Sequence, residues 1–149
     1  RFEQPDLTVN DFDQSVLGVG WTRLFRDGRS LLSAAFIAGH EDDVNERADG
    51  NKDFRGLRLG GQYNFRDDMD VFAAAGRQKA PYDKLNAAFQ RIRDDVLTDA
   101  TLGLVWRFAP GWSARPQYLY SRNESNIAIY GYKRRDYSVA VRWDFRDFR

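Results

Sequence analysis

Apolar and polar residues alternate along much of this chain, which is the pattern of β-strands with two different faces. The stretch at residues 137–145 is the clearest. One face carries Tyr137, Val139, Val141, Trp143 and Phe145, and the other carries Ser138, Ala140, Arg142 and Asp144. Further extended segments occupy residues 14–25, 30–40, 54–65, 70–80, 100–108 and 112–121, of which 70–80 is rich in alanine and has ambiguous faces. The pattern predicts an all-β protein with about seven antiparallel strands.

The connections between these predicted strands alternate in length. Short turns lie at residues 26–29, 66–69 and 109–111, and long polar connections occupy residues 41–53, 81–95 and 122–135. Within the second long connection, residues 85–93 are expected to form a helical turn. Tight periplasmic turns, long extracellular loops and a last strand that ends on the short-turn side are typical of outer-membrane barrels. The spacing therefore predicts an antiparallel transmembrane β-barrel.

Composition excludes several classes of protein and is compatible with the barrel. The 149 residues carry a formal charge of +1, so no nucleic-acid partner is indicated. There is no cysteine, which excludes a disulfide framework and a thiolate zinc site. A mean hydropathy of -0.66 suits strands that are polar at every second position. The alternative that stays open is a soluble antiparallel sandwich with one solvated face.

The number of predicted strands is odd, whereas bacterial single-chain barrels normally have an even number. We therefore expect residues 1–149 to be the C-terminal part of a larger even-stranded barrel, with residues 1–13 as the remnant of an extracellular loop. The alternative is a complete small barrel in which residues 2–9 form an eighth strand despite Pro5. Because the chain begins at Arg1, we expect a mature product or a piece of a longer protein.

Polar residues on the non-apolar side of the predicted strands are the best candidates for a function. Several arginines inside a soluble barrel would need buried partners, whereas a hydrated lumen accommodates them. The candidates for lumen-facing positions are Arg58, Gln62, Arg107, Arg115, Gln117, Arg142 and Asp144. Two roles are equally compatible with the pattern: the arginines set the selectivity of a pore, or they pair with Asp144 and neighbouring acids to hold the lumen together.

Aromatic residues lie near the predicted short-turn ends of the strands. They are Phe25, Phe65, Phe108 and Phe145 together with Trp21, Trp106, Trp112, Trp143 and Tyr63. Aromatic side chains of this kind form the interfacial girdles of membrane proteins. The pattern indicates a structural role at a membrane interface and not a ligand cage.

Hydrolytic chemistry is only weakly indicated. His40 is the single histidine, and it lies near Ser33 and the acidic residues 41–43. A nucleophile and a base need hydrogen-bond contact and an oriented third group, and no recognisable motif links these residues. We therefore predict no enzyme activity and no cofactor, with an outer-membrane hydrolase as a remote alternative.

A metal site is not predicted either. Asp49, Asn51 and Asp53 have the oxygen spacing with which a calcium loop begins. Phe54, however, occupies the position where an EF-hand needs glycine, and no bidentate glutamate follows at the proper distance. Solvation of an ordinary loop is the favoured interpretation.

The region from residue 120 to the terminal strand carries a family resemblance. The motif Ser-Asn-Ile-x-x-Tyr-x-Tyr-x-Arg runs from Ser125 to Arg134. With the strand that follows, it resembles the end of the barrel domain of surface lipoprotein assembly modifiers, in which periplasmic tetratricopeptide repeats typically precede a C-terminal β-barrel. The resemblance covers essentially all of residues 1–149, but only the barrel, because the chain contains no tetratricopeptide segment.

The terminal strand also resembles the C-terminal signal that the barrel assembly machinery reads. The matching polar, small, aromatic and hydrophobic positions are Ser138, Ala140, Trp143 and Phe145. Ala140 stands where glycine is usual, and residues 146–149 extend past the expected terminal aromatic residue. This resemblance implies the assembly machinery and outer-membrane lipid as partners.

The resemblance implies a translocator in the bacterial outer membrane that helps deliver a client, such as a lipoprotein, to the cell surface without covalent chemistry. Similar proteins with helical repeats and a barrel export polysaccharide, so a polysaccharide is the alternative client. A passive porin is the first alternative function. A small enzyme barrel and a soluble binding sandwich follow it.

Overall fold

The computed structural model describes residues 11–25, 28–45 and 50–145. These residues form one antiparallel sheet of seven strands, in which each strand pairs with the next along the chain. The strands are β1 Phe12–Phe25, β2 Ser30–Asp43, β3 Lys52–Arg66, β4 Met69–Asn86, β5 Arg91–Ala109, β6 Trp112–Ser125 and β7 Tyr132–Trp143, and the 3-10 helix Ala128–Tyr130 precedes β7. The prediction of an all-β antiparallel fold is confirmed.

The sheet is a single layer with two open edges. In the described ranges, β1 pairs only with β2 and β7 only with β6. Phe54 and Ile127 are the buried hydrophobic residues of this part of the chain. A sandwich requires a second sheet that packs on the first, so the sandwich alternative is wrong for this fold. Among the described residues, no helix is long and apolar enough to cross a membrane.

The register divides the sheet into two faces, because directly paired residues of antiparallel strands lie on the same side. On β7, Val139, Val141 and Trp143 lie on what we call the apolar face, and Ser138 and Arg142 lie on what we call the polar face. The register extends these two faces across all seven strands. The apolar face is exposed, and Val139 retains 70% of its accessible surface.

The strands are longer at one end of the sheet than the apolar alternation predicts. The predicted loop 81–95 is instead a hairpin, because β4 continues to Asn86 and β5 begins at Arg91. The predicted loop 122–135 is reduced to residues 126–131. The added strand ends are rich in charged residues and lack the apolar alternation from which strands are predicted, which is why the sequence pattern missed them.

The helical turn predicted at residues 85–93 is wrong. Leu85 pairs with Ile92 across the hairpin, and the chain reverses at residues 87–90. The side-chain oxygen of Asn86 accepts hydrogen bonds from two backbone N–H groups of the turn, at 3.1 and 3.3 Å. Such an asparagine turn reverses the chain locally and competes with a helical start.

The two ends of the sheet differ in their connections. The short-turn end has connections at residues 26–29, 67–68 and 110–111, and the loop end has connections at residues 44–51, 87–90 and 126–131. Gly111 has a φ of 75°, which L side chains rarely adopt. Residues 1–10, 26–27, 46–49 and 146–149 lie outside the described residues, so the loop remnant, the eighth strand and the C-terminal extension stay predictions.

Candidate functional site: the polar face of the sheet

The polar face contains all seven candidates for lumen-facing positions. They are Arg58 and Gln62 on β3, Arg107 on β5, Arg115 and Gln117 on β6, Arg142 on β7, and Asp144 just after β7. The register places Arg115 opposite Ala140 and Gln117 opposite Ser138. Their common face is a property of the fold, and their contact with a lumen stays a prediction.

Arg58 forms an ion pair that spans β3, β4 and β5. Its Nη1 donates to Oδ2 of Asp99 at 2.5 Å. Gly76 pairs with both residues in the ladder and therefore lies between them. A Cβ atom on Gly76 would lie 2.6 Å from Oδ1 of Asp99, so this ion pair depends on glycine at that position. Asp99 was missed in the sequence because nothing local marks it as a partner of Arg58.

A second polar network lies nearer the short-turn end. Nη2 of Arg107 donates to Oδ2 of Asp70, and Nδ2 of Asn64 donates to Oδ1 of the same carboxylate at 2.8 Å. The Asp70 side chain is only 6% exposed. A buried carboxylate requires such donors, and Arg107 is therefore part of a structural network.

Arg142 pairs with an acid of its own strand end. Its Nε donates to Oδ1 of Asp144 at 2.7 Å. Arg134 and Asp136 repeat this arrangement further along β7, with Nε donating to Oδ1 at 3.0 Å. Asp144 is the partner that the sequence predicted, because residues i and i+2 of a strand share a face.

Arg115 differs from Arg58, Arg107 and Arg142, the other three arginines among the candidates for lumen-facing positions. Its guanidinium carbon lies 4.5 Å from the centroid of the Phe72 ring. In the described part of the chain, no carboxylate oxygen lies within 4.0 Å of it. The Phe72 ring lies over Gly103, with which Phe72 pairs on β5. A Cβ atom added to Gly103 would lie 2.2 Å from Cζ of the ring. Arg115 therefore carries a positive charge that the polar face does not neutralise locally.

An arginine held between two tyrosines closes the polar face at the loop end. The Cζ atom of Arg93 lies 3.6 Å from the ring centroid of Tyr130 and 4.6 Å from that of Tyr82. The guanidinium also forms an ion pair with Asp95, a residue that is 7% exposed. Sequence reasoning missed this cluster because all four of its residues lie in segments that were predicted to be loops.

The residues of the family-like motif have local structural roles. Asn126 accepts a hydrogen bond from the backbone N–H of Asp94 at 2.9 Å and donates one to the carbonyl oxygen of Ile92 at 2.7 Å. Ile127 is 3% exposed. The carbonyl oxygen of Tyr130 accepts a hydrogen bond from Asn123 at 2.8 Å. These contacts tie the β6–β7 connection to the neighbouring hairpin.

A row of aromatic rings marks the short-turn end of the apolar face. Trp112 stacks on Trp143 with ring centroids 5.5 Å apart, and Trp143 contacts Phe145 edge-on at 5.4 Å. Phe108 connects this group to Trp106, with centroids 5.5 Å apart. Five of the nine residues of the predicted aromatic girdle therefore form a continuous row on three neighbouring strands. The place of the girdle at a membrane interface stays a prediction.

The four positions of the assembly signal divide between the faces. Trp143 and Phe145 belong to the aromatic row on the apolar face, and Ser138 and Ala140 lie on the polar face opposite Gln117 and Arg115. Recognition by the assembly machinery stays a prediction.

His40 and Ser33 do not form a catalytic pair. The ring nitrogens of His40 lie 2.6 Å from Oδ1 of Asp53 and 2.9 Å from Oδ1 of Asp42. His40 lies at the loop end of β2, beyond the apolar residues, and the hydrogen bonds to Asp53 and then Asp42 raise its pKa. Ser33 pairs with Gly60 on the polar face, whereas His40 pairs with Asp53 on the other face. The hydrolase alternative therefore has no supporting geometry.

The oxygens of the suggested calcium loop are used elsewhere. Oδ1 of Asn51 accepts a hydrogen bond from the backbone N–H of Asp43 at 2.8 Å, and Asp53 contacts His40. Asp49 lies outside the described residues. The described ranges contain no group of three or more histidine, cysteine or acidic side chains that could hold a metal ion.

Comparison with known proteins identifies a structural relative. No family model and no curated protein matches the chain. The structure is similar to that of the outer membrane channel DcaP of Acinetobacter baumannii, with a TM-score of 0.60 and 18% sequence identity over 78% of this chain. The match spans only 36% of that channel. The likeness shows that the chain has the fold of part of an outer-membrane channel barrel.

Proposed function

We propose that this chain forms part of the wall of an outer-membrane β-barrel through which a hydrophilic solute passes. The observation that carries the proposal is the opposite character of the two faces of one sheet. On the apolar face, Leu102, Val139 and Val141 are 54%, 70% and 61% exposed. The polar face holds ion-paired arginines. Lipid on one side and water on the other is the surrounding that suits both faces.

The height of the apolar face supports the proposal. On β7, Arg135 is the first basic residue of this face above Trp143, eight positions away, and Lys133 follows two positions further. At about 3.3 Å per residue and a strand tilt of about 40°, Arg135 lies about 20 Å and Lys133 about 25 Å above Trp143. The apolar band of outer-membrane barrels is about 25 Å tall. The aromatic row and these two basic residues therefore bound an apolar layer whose height is close to that of the band.

In such a barrel the polar face borders the aqueous path. The ion pairs of Arg58 with Asp99 and of Arg107 with Asp70 hold neighbouring strands together and contribute little net charge. Arg115 adds a positive charge without a local acid. We therefore expect the pore to favour anions, because unpaired lumen charges set selectivity.

Reconstitution of the intact protein in planar bilayers tests the proposal. The expected result is discrete conductance steps, with a reversal potential in a salt gradient that shifts towards cation preference in Arg115→Gln. Gly20→Ala, which changes an open position of β1 without changing charge, is the control. A protein that remains water-soluble and gives no conductance contradicts the proposal.

Delivery of a client to the cell surface is the second candidate function. The motif from Ser125 to Arg134 favours it through its resemblance to surface lipoprotein assembly modifiers. The local roles of Asn126 and Ile127 offer a structural explanation of the same residues. Two measurements in a deletion strain distinguish the two functions: the protease accessibility of surface lipoproteins, and the amount of capsule-like polysaccharide at the cell surface. Loss of a surface client supports delivery, and an unchanged surface with reduced solute uptake supports a channel.

A further inference from the structure

Six basic side chains lie on the apolar face at its loop end. We call them the basic belt, which consists of Arg55, Arg77, Lys79, Arg122, Lys133 and Arg135. All six are exposed. The register places Arg55 directly opposite Lys79 and Arg122 directly opposite Lys133. The belt therefore contains two pairs of adjacent cations on neighbouring strands.

The belt lies where the apolar residues of this face end. On β3, Leu57 and Leu59 precede it towards the short-turn end, and on β7 the exposed residues Tyr137 and Val139 do so. On β7, Arg135 and Lys133 lie about 20 and 25 Å from the aromatic row. In a membrane of that thickness the belt lies at the level of the lipid headgroups.

The belt is only partly neutralised by acids of this chain. Nζ of Lys79 lies 3.0 Å from Oδ2 of Asp94, and Nη2 of Arg122 lies 2.7 Å from Oε1 of Glu124. The remaining arginines form no ion pair within the residues that the structure describes; they are Arg55, Arg77 and Arg135. The belt therefore presents a net positive charge.

We propose that the basic belt binds the phosphate groups of lipid A in the outer leaflet, an inference that rests on the proposed function. The loops of outer-membrane barrels lie on the cell-surface side, so the loop end of the sheet borders that leaflet. The planar guanidinium of arginine matches phosphate oxygens with two parallel hydrogen bonds. Charge and position together define the belt as a phosphate-binding surface.

The paired arrangement favours lipid A over a phospholipid as the source of the phosphate. Directly opposite residues have Cβ atoms about 4.5–5.5 Å apart, so Arg55 and Lys79 can contact one phosphate together. A phosphate monoester carries a charge of about −1.5 to −2 near pH 7, whereas the diester of a phospholipid carries a single charge. Two adjacent cations match the monoester groups of lipid A.

The test measures lipid affinity of the intact, folded protein in detergent by native mass spectrometry. The probes are lipid A with both phosphates, lipid A without phosphates, and phosphatidylglycerol. The variant Arg55→Gln with Lys133→Gln removes one cation from each adjacent pair, and neither residue forms an ion pair within the described residues, so no acid is left unpaired. The control Arg23→Gln with Arg115→Gln removes the same charge from the short-turn end and from the polar face.

We expect the belt variant to bind lipid A with roughly 100-fold lower affinity, about tenfold for each charge-assisted contact removed. The control variant distinguishes binding at the belt from a general effect of the protein's charge. The lipid A without phosphates distinguishes phosphate binding from binding of the acyl chains. Equal affinity of the belt and control variants overturns the proposal, and so does tighter binding of phosphatidylglycerol. If the unaltered protein conducts in bilayers while either of these results is found, the belt proposal alone fails. A protein that never enters a membrane refutes both.

Discussion

An arginine introduced on the apolar face of β7 should destabilise the folded protein by an amount of free energy that depends on the depth of the position in the membrane. Val139 lies four positions from Trp143 and four from Arg135 on the same face. At about 2.5 Å of height per residue, Val139 is about 10 Å from each of them, midway between the aromatic row and the first basic residue of this face. It is therefore the residue of β7 that lies deepest in the proposed hydrocarbon layer.

We expect Val139→Arg to lower the free energy of unfolding from the membrane by roughly 2–4 kcal/mol, the cost of arginine near the midplane of a barrel. This corresponds to a roughly 30- to 900-fold change in the folding equilibrium. Val141→Arg, nearer the aromatic row, is expected to cost roughly 1–2 kcal/mol. Gln117→Arg, on the polar face opposite Ser138, is the matched control and is expected to change stability by at most about 0.5 kcal/mol.

The assay is urea titration of the intact protein during reversible folding into phospholipid vesicles, followed by tryptophan fluorescence. The difference between Val139→Arg and Gln117→Arg is the informative quantity, because both variants add the same side chain at neighbouring heights. Equal costs for the two variants would refute the assignment of the faces. A larger cost for Gln117→Arg would reverse it, with the polar face towards lipid.

Three further predictions concern single features of the sheet. Arg115→Gln should lower the anion preference of the pore roughly twofold, since a unit charge about 8 Å from a passing ion in water is worth about 0.5 kcal/mol; an unchanged reversal potential contradicts this role. Gly103→Ala should destabilise the protein by about 1–3 kcal/mol because the added Cβ atom meets the Phe72 ring. Denaturant titration should show a smaller loss of unfolding free energy when Phe72→Ala is also present, and equal losses in both backgrounds argue against the contact. The pKa of His40, measured by NMR titration, should lie above its ordinary value of 6.5 and should fall in Asp53→Asn. The contribution of His40 to folding stability is then complete below pH 6.5 and is lost as the pH rises through the raised pKa. An unchanged pKa in Asp53→Asn excludes this hydrogen bond as the cause of the shift.

The predictable part of the fold is the part that alternates between apolar and polar residues. Residues 54–65 and 137–145 show this alternation; the first stretch lies within β3, and the second lies in β7 as far as Trp143. The hairpin ends near Asn86 and Arg91 carry polar residues on both faces, so their strands depend on backbone pairing with neighbours and leave no apolar periodicity in the sequence. Strand boundaries at the loop end were therefore beyond sequence reasoning.

The candidate site was predictable in its composition and not in its contacts. The common face of Arg58 and Arg142 follows from strand periodicity once the register is known. The partnership of Arg58 with Asp99 depends on the registers of β3 with β4 and of β4 with β5, which no local pattern reports. The same holds for the Phe72 ring over Gly103. The exception is Asp144, which lies two residues from Arg142 and was predicted.

The orientation of the two faces is tested most directly by cysteine scanning along β6, since the chain contains no cysteine of its own. Single cysteines replace Ser113 and Gln117 on the polar face and Ala114 and Tyr118 on the apolar face, in the intact protein reconstituted in a bilayer. We predict that a charged, water-soluble thiol reagent reacts at residues 113 and 117 and reduces the conductance. The cysteines at residues 114 and 118 should react only with a lipid-soluble reagent. Equal reaction of all four cysteines with the water-soluble reagent would contradict a sheet that separates lipid from an aqueous pore.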